Sequence, residues 1–186
     1  MRPLTDEEVT LLFEKLSKYI GNNIKLLLES PDGETEYVFR LIKNRVYYMS
    51  VEVLKQTGVF SKELLLHCGT CFGQFSKSGK FRLSITALDY IAKYATSKVW
   101  LKNNGEQNFV YGNHVLKAHI ARISENATKY GGVVVLSTSN VPLGFGVLAK
   151  STDDFKGADP SAIYVFNQAD VGQFLRIEGD HGKDDD

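Results

Sequence analysis

At 186 residues, with 43% hydrophobic and 24% charged side chains, the sequence has ordinary globular composition and is long enough for one large domain or two small ones. Its 22 basic and 22 acidic residues cancel, so net charge alone argues for no nucleic-acid partner. Two cysteines argue against a secreted disulfide framework, and no apolar run approaches the ~20 residues of a membrane span. The start, Met1-Arg2-Pro3-Leu4-Thr5, lacks the apolar stretch of a signal peptide, so cytosol or nucleus is the expected compartment. The neutral total hides an uneven distribution. Residues 1–95 carry 13 Lys/Arg against 11 Asp/Glu, and residues 96–177 carry eight against six. The last nine residues hold five acids against Lys183, the pattern of a solubilising disordered tail.

Along the chain, Thr5-Asp6-Glu7-Glu8 forms a capping box ahead of Val9, Leu12, Phe13, Leu16 and Ile20, which recur at helical spacing, and Gly21 closes that helix. Ile24 to Leu28 predicts a second short helix, and Pro31-Asp32-Gly33 a turn. Tyr37 to Ile42 and Val46 to Met49, joined by Lys43-Asn44-Arg45, predict a hairpin. Ser50 is placed to cap a helix carrying Val53 and Leu54. Cys71 to Phe75 and Phe81 to Ile85 predict a second hairpin, and Thr86 a cap for the helix of Leu88, Ile91 and Tyr94. Near Ala95 to Lys98 the character changes. Val99 to Leu101, Gly132 to Leu136, Leu143 to Leu148 and Ala162 to Phe166 are β-type runs with little helix between them. The expected architecture is a small barrel following an α/β domain.

No catalytic constellation emerges from the residue types. His67-Cys68-Gly69-Thr70-Cys71 contains a C-x-x-C, but zinc would need four ligands and no second cysteine pair exists. A redox motif should open a helix, whereas Phe72-Gly73-Gln74-Phe75 predicts a strand, so the pair is expected to be structural. His114 and His119 stand five apart without the intervening Glu of a metalloprotease helix and are expected on loops or the barrel surface. Gly144-Phe145-Gly146 is not followed by the helix of a dinucleotide loop, so its glycines are expected at strand bends. Asp153-Asp154 lies in a polar loop. No catalytic, metal or cofactor-binding residue is therefore expected. What remains is a set of cations flanking predicted strands, Lys98, Lys102, Lys117, Lys150 and Arg176, which together could line a phosphate-contacting rim.

The second half resembles a PUA domain, the RNA-binding module of pseudouridine synthases and archaeosine transglycosylases. The matching pieces are Phe109 to Lys117, Gly132 to Val135, Val141 to Val147 and Ala169 to Arg176. In that family a helix leads through a glycine turn into the second strand, and RNA lies along the turn and the closing strands. The whole chain, over residues 1–178, is similar to the Nip-seven family of 60S ribosome-subunit biogenesis proteins. Carrying that resemblance are the start Met1 to Thr5, Arg45-Val46-Tyr47-Tyr48, Gly69 to Gly73, Lys80-Phe81-Arg82-Leu83 and Thr86 to Tyr90. The sequence departs from the family at Gln74, where a lysine is usual, at Lys156-Gly157, where two basic residues are frequent, and at Asn103-Asn104, which replaces a proline-containing turn.

The resemblance implies an α+β chain: an N-terminal α/β pre-PUA domain with an antiparallel sheet and helices (residues 1–95), a PUA-type small mixed β-barrel (96–177) and an acidic disordered tail (178–186). It implies a non-catalytic RNA-binding assembly factor of the nucleus and nucleolus, and also the cytoplasm. Its partners would be pre-ribosomal RNA, pre-60S particles and other assembly proteins, with no membrane, and the protein would be monomeric on its own. The RNA-contacting residues carried over are Gly112, Asn113 and His114 of the turn, Lys117, Lys150 and Arg176. Tyr37, Tyr47, Tyr48 and Phe60 are candidates for a protein-binding face. The alternatives are an RNA-modifying enzyme with a PUA targeting domain and a protein scaffold that binds RNA weakly.

Overall fold

The computed structural model describes residues 1–29, 35–58, 67–125 and 127–180. It divides into two compact units, Met1–Tyr94 and Ala95–Asp186.

In the first unit, helix α1 (Asp6–Ile20) begins at the expected capping box. Thr5 Oγ1 accepts from the Glu8 amide at 3.3 Å and Glu8 returns a carboxylate to the Thr5 amide at 2.9 Å. Its apolar stripe buries Leu12, Leu16, Tyr19 and Ile20, and Gly21 ends it at φ 55°, a conformation that costs glycine little. A short helix α2 (Ile24–Leu28) follows. Strands β1 (Tyr37–Ile42) and β2 (Arg45–Ser50) pair antiparallel with Ile42 opposite Arg45, so the connection is Lys43-Asn44 and Arg45 already belongs to the strand. Ser50 caps α3 (Val51–Thr57) through its hydroxyl on the Val53 amide. β3 (Thr70–Phe75) and β4 (Phe81–Leu83) complete a four-stranded antiparallel sheet in chain order.

Three expectations need correction here. β4 stops at Leu83, because Ile85–Ala87 turns into a 3-10 helix leading into α4 (Leu88–Tyr94). Thr86 therefore caps nothing. It sits inside that turn, donates to the Cys71 carbonyl and shares a hydrogen bond with the Ser84 hydroxyl. Tyr47 and Tyr48 are 4% exposed and are core, not a docking face. Tyr48 is wedged among Phe39, Phe72 and Tyr90 at 5.0–5.2 Å between ring centres, with Tyr37 stacked on it at 5.0 Å. The turn expected at Pro31-Asp32-Gly33, and Phe60, lie outside the described residues.

The second unit contains β5 (Lys98–Leu101), α5 (Asn103–Val110), β6 (Val115–Leu116), β7 (Ile120–Ile123), β8 (Gly132–Leu136), β9 (Pro142–Leu148), β10 (Ile163–Asp170) and α6 (Gln173–Asp180). Its strands form one mixed sheet in the order β6-β10-β9-β8-β5-β7, in which only β5 and β8 run parallel. The sheet curls into a nearly closed barrel, the architecture expected of this half. Val99, Leu101, Phe109, Val115, Ile120, Val133, Val135, Leu148 and Tyr164 fill its core. Gly144 and Gly146 lie where β9 crosses β10. A Cβ on them would meet the Ala169 and Phe166 carbonyl oxygens at 2.2 and 2.4 Å, so no side chain fits. Residues 173–176 begin α6, and the expected tail overlaps that helix at 178–180 and lies otherwise outside the described residues.

Candidate nucleic-acid interface

The turn after α5 is built from below. The helix ends as the amides of Gly112 and Asn113 fold back onto the Phe109 and Asn108 carbonyls at 2.9 and 3.2 Å, with Gly112 at φ +93°. That left-handed conformation strains any residue with a side chain, so glycine is required although a Cβ there would meet the Arg176 guanidinium only at an ordinary 3.7 Å. Asn167, on β10, braces the turn twice over. Its backbone N–H donates to His114 Nδ1 at 3.2 Å, and its side-chain amide donates to the carbonyls of Phe109 and Asn113 and to Asp170. Because His114 Nδ1 accepts, the ring's N–H lies on Nε2; the ring rests edge-on against Phe166 at 5.4 Å.

A second brace comes from α6. Asp170 is 1% exposed, and its carboxylate receives Arg176 Nη2 at 2.8 and 2.9 Å. Arg176 Nη1 donates to the Val110 carbonyl at 2.5 Å, so one guanidinium ties α6, β10 and the end of α5 together. Gly172 makes the approach possible, because a Cβ there would lie 2.0 Å from the Val110 oxygen. What the assembly presents outward is Tyr111, 78% exposed, with exposed Gly112, Asn113 and His114.

The six residues carried over from the resemblance thus fall into two groups. Gly112, Asn113, His114 and Arg176 come together at the turn. Lys117 and Lys150 lie instead beside the loop after β9. There Lys129, Lys150, Asp153, Asp154, Gly157 and Ala158 line an open depression. Lys117 is spoken for in part: its ammonium donates to the Ala158 and Lys156 carbonyls at 2.5 and 3.3 Å and lies over the Phe155 ring. Carboxylates dilute this cluster. Asp154 is held below the usual carboxylate range chiefly by hydrogen bonds from Ser151 and then by Lys150 and Lys129. Asp159 is lowered in the same way by Ser161, with smaller contributions from Lys117 and Lys150. Lys102 spends its ammonium on the Ala118 carbonyl at 2.9 Å.

Sequence reasoning did not single out Tyr111, Asn167 or Asp170. The only signal for the last two was an Asn and an Asp, three apart, closing an apolar strand, and that pattern names no partner. His119, expected at the surface, is half-buried, with its Nδ1 enclosed and its Cβ against Gly105. The cysteines are free thiols. Cys71 lies in β3, and burial pushes its thiol up, the opposite of what a reactive thiolate needs. Among the described residues no three His, Cys, Asp or Glu side chains gather as a metal site, and no helix is long and apolar enough to cross a membrane.

Comparisons with known proteins bear on both units. The family model for the NIP7/UPF0113 pre-PUA domain matches residues 1–85, and that for the UPF0113 PUA domain matches residues 97–179. A relative from Xenopus laevis called "60S ribosome subunit biogenesis protein NIP7 homolog" is 58% identical over 178 residues, 96% of this chain and 98% of its own. The Danio rerio relative of the same name is 57% identical over the same shares. Among solved structures, a PUA domain from Aeropyrum pernix K1 superposes with a TM-score of 0.60 at 13% identity, covering 94% of this chain and 87% of that one. A PUA domain protein from Thermoplasma acidophilum gives 0.55 at 12% identity, with 95% and 97% covered.

Proposed function

Because the chain belongs to the NIP7/UPF0113 family of pre-PUA plus PUA proteins, we propose that it is a non-catalytic, RNA-binding assembly factor of the large (60S) ribosomal subunit. It works in the nucleus and nucleolus on precursor ribosomal RNA, within pre-60S particles and alongside other assembly proteins. The observation that carries this reading is the braced turn in the unit matched by the PUA model: a rigid, outward-facing run of Tyr111, Gly112, Asn113 and His114. Such a turn suits single-stranded RNA. Tyr111 offers a stacking face, the bare Gly112 lets a phosphodiester approach the backbone, and Asn113 and His114 Nε2 offer donors. Lys150 supplies charge at the neighbouring loop.

The internal use of Arg176 and Lys117 favours a second reading, a protein scaffold whose barrel holds RNA poorly. Anisotropy titration of a labelled single-stranded RNA at rising salt separates the two. An RNA binder gives a log–log slope of about −0.7 per phosphate neutralised, and Tyr111→Ala with Lys150→Ala weakens binding. A flat salt response and unchanged affinity in that double variant would establish the scaffold.

A further inference from the structure

One cation of the second unit has no role in the interface above. Arg122, on β7, stands directly across from Trp100, on β5, and lays its guanidinium over the indole with 3.6 Å between the guanidinium carbon and the ring centre. The indole is itself fixed. Its Nε1 donates to Asn140 Oδ1 at 2.7 Å, and Asn140 sits at φ 64° in the tight β8–β9 turn. That turn is closed by the Ser137 amide on the Val141 carbonyl, and by the Ser137 hydroxyl, which accepts from the Ser139 and Val141 amides. A chain of defined contacts therefore runs from a closed turn, through an indole, to a guanidinium plane.

That guanidinium has nothing else to do. Arg176 is paired with Asp170, Arg2 with Glu8, and Lys102 and Lys117 donate to carbonyls. Arg122 is exposed and, among the described residues, has no hydrogen-bond or ion-pair partner. One face of it is covered by Trp100; the other face and the in-plane N–H donors are free. Lys98, two residues before Trp100 on β5, shares its side of the strand by alternation and makes no ion pair among the described residues. A flat, preoriented cationic face with a second cation beside it matches a planar ring joined to a phosphate. An acidic peptide would satisfy the charge but has no use for the flat face.

We propose that the β5–β7 ribbon binds an unpaired nucleotide of RNA, its base stacked on the Arg122 guanidinium above Trp100 and its phosphate within reach of Lys98. This rests on the RNA-binding reading and adds a contact on strands apart from the glycine turn.

Trp100 is the single tryptophan of the chain, so its emission reports on this site alone. The full chain is titrated with a short single-stranded RNA while indole emission and the anisotropy of the labelled RNA are followed together. The expected result is a saturating change in emission that tracks the anisotropy. An oligonucleotide of abasic sugar-phosphate should leave the emission unaltered. Arg122→Ala should weaken RNA binding by about five- to tenfold. Arg122→Lys, which keeps the charge and loses the plane, should weaken it nearly as much, with the melting temperature of both variants confirming the fold. RNA that binds by anisotropy with no change in emission, and with unaltered affinity in both variants, overturns this proposal and leaves the RNA-binding reading intact. No RNA binding by either signal overturns both. An emission change with polyglutamate but not with RNA makes the ribbon a protein-docking face and overturns the nucleotide assignment.

Discussion

Arg176 and Arg122 belong to the same unit and both keep solvent-facing surface, yet they are held by opposite means. Arg176 reaches inward to a buried carboxylate and a backbone carbonyl, so its charge is spent on fixing the glycine turn. Arg122 is held by an indole that orients it without neutralising it. The first arrangement makes a shape and the second keeps a charge available. A cation counted from sequence is thus no measure of binding surface; what matters is whether the fold has already used its donors.

The largest effect that would break this contrast is on stability. Arg176→Ala leaves Asp170, 1% exposed, with Asn167 as its remaining side-chain donor, and should cost about 3 kcal/mol in the urea unfolding of the second unit. The converse change, Asp170→Ala, should cost less, about 1–2 kcal/mol, because the Arg176 side chain, 42% exposed, can turn to water. Equal losses for the two variants would contradict the lock. Arg122→Ala should cost no more than about 0.5–1 kcal/mol, the worth of an exposed cation–π contact, so its RNA defect should appear with the fold intact.

The smallest effect comes from a third arginine, in the first unit, where both partners of the pair are partly exposed. The Arg2 hydrogen bonds, followed by the Thr5 amide, hold the Glu8 carboxyl down at about 2. Its folded pKa lies below the unfolded value. The contribution is therefore full above the ordinary carboxylate range and fades as pH falls toward about 2. Glu8→Gln should lower the melting temperature slightly near neutral pH, and that deficit should vanish in strong acid. A deficit that persisted there would assign the effect to packing and not to charge.

The elements legible in the sequence are those whose causes are local. Thr5 and Glu8 are three residues apart and specify a helix start by themselves, as Ser50 does for α3. The β1–β2 hairpin follows from two aromatic and β-branched runs around a two-residue connection. Where partners are distant, the sequence is silent. Trp100 and Arg122 meet across strands, and β7 itself was missed because Ala121 and Arg122 interrupt any apolar run. α5 was visible only through the family resemblance, since Asn103-Asn104-Gly105 is a poor helix former. α6 was not read from the sequence either; its Phe174 and Leu175 lie exposed, so no buried apolar stripe announces the helix. The glycine turn too was visible only through that resemblance; that Arg176 braces it depends on a buried acid six residues earlier in the chain, a pairing that spacing does not announce.

The claim that this chain handles precursor ribosomal RNA is tested most directly by crosslinking it to RNA in cells and sequencing the attached fragments. The account predicts reads concentrated in precursors of the large-subunit ribosomal RNA, falling when Tyr111, Lys150 and Arg122 are replaced together. Reads spread over unrelated transcripts, or unchanged by those substitutions, would contradict it.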